Sequence, residues 1–114
     1  MDVLTLGPAS SRRVVLFAAG AGGDPERYLP LLEDLAAEGW RVVAPYFARF
    51  GTPDPPVDEL RARPLGLVES LRRHGSPAAE VVVVGHSIGG WAGLCLAGAS
   101  SKRTGWTASN CSRM

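Results

Sequence analysis

Three short apolar runs punctuate the chain, and between them the apolar positions shift to helical spacing. The runs are Val14-Val15-Leu16-Phe17-Ala18, the Val42-Val43-Ala44 centre of Arg41–Pro45, and Val81-Val82-Val83-Val84. Runs without polar alternation fit strands covered on both faces, as in a parallel sheet. Val3–Leu6 reads as a shorter strand, closed by the turn Gly7-Pro8-Ala9-Ser10-Ser11.

After the first run, Gly20-Ala21-Gly22-Gly23-Asp24-Pro25 is a glycine-rich loop. Beyond it Leu31, Leu32, Leu35 and Ala36 share one helical face, and Gly39 suits a helix C-terminus. This helix has two candidate starts. Asp24 could cap it with Pro25 at the first position, but Pro30 would then interrupt the interior. Pro30 near the first position, after an irregular turn over 24–28, is preferred. Residues 46–57, with Gly51, Pro53, Pro55 and Pro56, read as a loop, and 58–63 as a single turn. The spacing then predicts a helix over 64–74 that buries Leu67, Val68 and Leu71. The third run, read as a buried strand over 80–84, leads to a third helix, apolar almost all round from Trp91 to Ala99. Strand and helix alternate throughout. The expected fold class is therefore α/β, a three-layer α/β/α arrangement with a mostly parallel sheet.

Composition narrows the function. The chain has 114 residues, 46% apolar and 20% charged, with net charge +1. That suits one soluble domain and offers no electrostatic attraction for nucleic acid or an anionic membrane. No apolar run approaches the ~20 residues that span a bilayer. The first residues lack a signal peptide's basic and apolar regions, so a cytoplasmic location is expected. Cys95 and Cys111 have neither metal nor disulfide spacing, and no cofactor or metal is expected. Composition changes at Ser100. Residues 1–99 are expected to form a partial domain, and 100–114, which hold the single lysine, Lys102, a disordered or aberrant tail.

Gly85-His86-Ser87-Ile88-Gly89 carries the chemistry. A serine hydroxyl is a poor nucleophile unless it is held out of the backbone, given a base, and faced by donors for the oxyanion. The segment matches the G-x-S-x-G pattern, in which a serine sits on a tight strand-to-helix turn. Ser87 is the candidate nucleophile. The Ile88 backbone N–H, at a helix start, is one candidate oxyanion donor, and the Ala21 N–H in the glycine loop is the second. The rival reading of that loop is a phosphate cradle. It begins as G-x-G, but Pro25 occupies the third glycine's place and no Lys-Ser/Thr pair follows.

With the glycine loop, the Trp40-Arg41-Val42-Val43-Ala44-Pro45 strand and the Gly85-His86-Ser87-Ile88-Gly89-Gly90 turn, the chain resembles the α/β-hydrolase superfamily over residues 14–99. Its nearest likeness is to the N-terminal part of dienelactone-hydrolase-like and small esterase-like members. The resemblance implies hydrolysis of ester or related acyl bonds in small-molecule substrates through Ser87. Ala19 stands where many members have histidine, Tyr46 where many have aspartate, and dienelactone hydrolases proper carry cysteine at the turn.

The triad order on this fold is Ser, then Asp or Glu, then His. No Asp, Glu or His follows Ser87. His86 is expected to point away from the serine and pack under the site and His74 to end a helix, while Asp24, Asp34, Asp54 and Asp58 read as turn, surface and capping residues. A well-studied protease loses on the order of 10⁶ in rate when triad members are removed. The chain is therefore expected to be a truncated serine hydrolase, inactive alone. The alternative is a noncatalytic interaction or binding module on half of the same fold, its valine-rich strand pairing edge to edge with a second copy.

Overall fold

The apolar runs form strands that lie side by side in one sheet. A computed structural model describes residues 2–51, 55–75 and 80–96, so the expected tail falls outside the described residues. The strands are β1 (Val3–Leu6), β2 (Arg13–Ala18), β3 (Arg41–Pro45) and β4 (Glu80–Gly85), in the spatial order β1-β3-β2-β4. β2 pairs in parallel with both β3 and β4, and β1 runs antiparallel to β3 with Val3 opposite Pro45.

Period-two alternation sends the β2 side chains to opposite faces. Val14, Leu16 and Ala18 pack with Leu67 of α2 (Val57–His74) and Ala92 of α3 (Ile88–Leu96). Val15, Phe17 and Ala19 pack with Leu32 of α1 (Leu29–Ala37) on the other face. Helices thus cover both sides of a mostly parallel sheet, which is the expected three-layer α/β/α architecture.

Four local expectations are refined or corrected. At the start of α1 the preferred reading holds, with Pro30 in the first turn, but the stretch before it is a capped 3₁₀ turn rather than irregular. Asp24 Oδ1 accepts from the Glu26 N–H at 2.9 Å and caps a single 3₁₀ turn with Pro25 at its first position; α1 then opens with Pro30 in its first turn. Within α1, Leu31 is 48% exposed, because Leu32, Leu35 and Ala36 form the inward stripe and Leu31 lies one step outside it.

The third correction is α2, a single helix of 18 residues through Pro64 rather than a turn and a shorter helix. Pro64 cannot donate to the Leu60 carbonyl, but its ring is buried in the stripe of Leu60, Arg63, Leu67 and Ser70. Packing there outweighs one missing hydrogen bond. Ser70 Oγ bonds back to the Gly66 carbonyl at 2.8 Å. The fourth is β4. It stands at the edge of the described sheet, as the edge-pairing expectation requires, and there it is partly exposed rather than buried, with Val81 38% and Val82 40% exposed.

Candidate active site at the serine turn

The parallel strands end on one side of the sheet, and the serine turn and glycine loop meet there. β4 ends at Gly85, and α3 begins at Ile88 after two intervening residues. Ser87, between them, has φ +58°, the only positive φ among the described non-glycine residues. For a residue with a Cβ such a conformation costs about 1–3 kcal/mol, and it persists where surrounding bonds fix it. Those bonds are His86 N–H to the Ala18 carbonyl (3.2 Å), Gly89 N–H to the His86 carbonyl (2.9 Å) and Gly90 N–H to the Ser87 carbonyl (2.9 Å).

Space fixes the two flanking glycines. A Cβ on Gly85 would come within 2.5 Å of the Gly89 carbonyl oxygen. One on Gly89 would overlap the Ala18 carbonyl oxygen and lie 2.7 Å from that of Ala19. Helix α3 therefore seats directly on the end of β2, and the turn leaves Ser87 exposed.

Opposite the turn, the glycine loop closes through Gly23 N–H to the Gly20 carbonyl at 2.9 Å. The Gly20 N–H donates to Tyr28 Oη (3.3 Å), and that oxygen lies 3.0 Å from His86 Nδ1. A cavity of about 260 Å³ lies between loop and turn, with Ala21, Arg27, Tyr28, His86 and Ser87 among its lining. Among the described residues, Ser87 Oγ and the N–H groups of Ala21 and Ile88 have no hydrogen-bond partner.

Of the remaining predicted positions, two come to the same cavity. His86 is exposed there rather than packed under the site and bonds to Tyr28, and Asp24, which caps the 3₁₀ turn, also lines it. His74 ends α2 and accepts from Arg41 Nε at 3.2 Å through its carbonyl, Asp34 lies on exposed α1 surface, and Asp58 sits in the first turn of α2. Asp54 lies outside the described residues.

Sequence reasoning missed two residues. Tyr28, in a stretch read as irregular, bridges the glycine loop to His86. Arg63 is 2% exposed beneath the loop. Its Nη1 donates to the carbonyls of Ala19 (3.2 Å) and Gly20 (3.0 Å), and its Nη2 to those of Ala21 (3.3 Å) and Ala48 (3.2 Å). The guanidinium carbon lies 4.7 Å and 4.5 Å from the Phe47 and Phe50 ring centroids. Burial lowers its pKa. The available signal was its place on the Leu60–Leu67 stripe, visible only once the helix is carried back through Pro64.

An open, mostly parallel sheet with its cavity at the carboxyl ends of the strands defines an α/β protein of the kind that binds ligands along that edge. Within that class, a sequence model of the alpha/beta hydrolase family matches residues 15–112, and the chain belongs to that family. Membership supports a hydrolase-type function. Two solved structures share the fold. A hydrolase candidate from Rickettsia typhi is 14% identical with a TM-score of 0.63, covering 83% of this chain and 34% of its own. TT1662 from Thermus thermophilus is 25% identical with a TM-score of 0.55, covering 82% of this chain and 45% of its own. The chain thus spans less than half the length of either. No curated protein matches the chain. Among the described residues, no helix is long and apolar enough to cross a membrane.

Proposed function

We propose that this chain carries the nucleophile-bearing part of a serine hydrolase acting on ester or related acyl bonds of small molecules. Ser87 is the nucleophile, and the Ile88 and Ala21 N–H groups receive the oxyanion. The observation that carries this reading is the left-handed backbone of Ser87 on a turn opposite a glycine loop, with three polar groups lacking partners among the described residues. Attack by Oγ on an acyl carbon moves the carbonyl electrons onto oxygen, where the two amides stabilise the charge. The proton on Oγ needs a base. Neither His86, held by Tyr28, nor His74, at the end of α2, is assigned that role, and the sequence has no other histidine.

The 114-residue polypeptide is therefore expected to react slowly but selectively. Without the triad, an oxyanion hole and binding alone still accelerate reactions roughly 10³–10⁴-fold over water. Incubation with an alkyl fluorophosphonate, followed by peptide mass spectrometry, should find a single major adduct at Ser87, lost in Ser87→Ala. Labelling of Ser87 no faster than that of Ser10 or Ser11 would contradict the assignment.

A second reading, association through a strand edge, is favoured by β4. Val81 and Val82 are exposed on the edge strand, and a cleft of about 690 Å³ beside it is lined by Val68, Leu71, Val83 and Leu94. An apolar edge of this kind pairs with another chain unless it is covered.

A further inference from the structure

We propose that Arg63 is a positioning residue for the oxyanion site, an inference that rests on the nucleophile reading of Ser87. In a planar trans peptide the C=O and the following N–H point in opposite directions. Arg63 binds the carbonyls of Ala19, Gly20 and Ala21, three consecutive peptide units. The N–H groups of those units belong to Gly20, Ala21 and Gly22. Each is therefore directed away from Arg63. The first reaches Tyr28 Oη, and Ala21 and Gly22 line the cavity shared with Ser87.

Successive N–H groups turned to one side form a concave anion site. Here the guanidinium stands at the negative ends of the same peptide dipoles. It fixes their direction, and its charge reinforces them. Glycine-rich backbone does not hold such an alignment unaided, because so many conformations are open to it. Two further contacts lock the brace. Nη2 also donates to Ala48, tying the glycine loop to the segment after β3, and the Phe50 N–H donates to the Ala21 carbonyl at 3.0 Å. The Phe47 and Phe50 rings hold the planar head in place. Lysine has the charge but not the fork, so it cannot satisfy four carbonyls at these angles.

The test separates a reaction that needs the oxyanion site from one that does not. In Ser87→Cys protein, acylation of the introduced thiol by p-nitrophenyl acetate passes through an oxyanion, whereas its alkylation by iodoacetamide displaces iodide and forms none. Both are followed by peptide mass spectrometry, and each rate is taken per thiolate from its pH profile, so that a shift in the thiol's ionisation does not enter the comparison. Removing one oxyanion donor outright costs roughly 10²–10³ in rate. Arg63→Met is expected to slow acylation about 10-fold or more while alkylation changes less than about 3-fold. Arg63→Lys, which keeps the charge but not the fork, is expected to fall between, and both variants are assayed at a temperature where circular dichroism shows them as fully folded as the parent. Equal effects on both reactions, or no effect of either variant on acylation, overturn the inference. If the introduced thiol, with Arg63 intact, acylates no faster than in the urea-unfolded chain, the nucleophile reading itself fails, and this inference with it.

Discussion

A serine at φ +58° whose Oγ is exposed and bonds to no described residue is strained and open at once. The strain does not stabilise the fold, and the two together suit a side chain presented to a ligand. The surrounding glycines show how little freedom the turn has. Gly89→Ala places a Cβ against the Ala18 carbonyl, and neither backbone can retreat without shifting α3 or β2. It is expected to cost more than about 2 kcal/mol in urea unfolding, within the range of severe substitutions. Gly22→Ala, with nothing within 4 Å of the added carbon, should stay within about 1 kcal/mol of the parent. Equal losses would mean that crowding at the turn is not what selects glycine there.

Among the elements, α2 carries the largest share of what the sequence concealed. Its buried stripe holds both Leu67 and Arg63, so one face serves core and loop together. Leu67→Ala is expected to cost about 2–5 kcal/mol, as for other fully buried leucines. Glu69→Ala breaks only an exposed pair with Arg73 and should cost under about 1 kcal/mol by the same denaturation measurement. The strands and the serine turn were legible because apolar runs and the spacing of Gly85, Ser87 and Gly89 are local signals. The first half of α2 was not. An arginine and a proline on the inward stripe look like surface and breaker until the loop carbonyls and the sheet that cover them are known. Tyr28 was hidden for a similar reason, since its partners Gly20 and His86 come from separate parts of the chain. A run of valines reads by itself as a buried strand, so the exposure of Val81 and Val82 was legible only through the edge position expected for β4.

At the scale of the whole molecule, two consequences follow from where the sheet and the site stand. β4 presents Val81 and Val82 at the edge, so the 114-residue polypeptide is expected to self-associate. Val82→Lys should shift it toward monomer in size-exclusion chromatography, since charge on an edge strand blocks pairing; a parent protein that elutes as a stable monomer would contradict this. With no acid or histidine after Ser87, p-nitrophenyl ester turnover should stay far below the ~10 s⁻¹ of an ordinary enzyme. Ser87-dependent turnover at that level would show that a residue upstream supplies the base.

The claim on which the account depends is that the turn presents residue 87 at a helix N-terminus beside amides that stabilise an anion. The pH dependence of site-resolved iodoacetamide alkylation in Ser87→Cys protein tests it without any need for a base. The expected result is an introduced thiol that ionises clearly below the ~8.5 of a free cysteine. Ionisation at or above that value would mean that no anion is stabilised there, and the assignment of Ser87 as a prepared nucleophile would not stand.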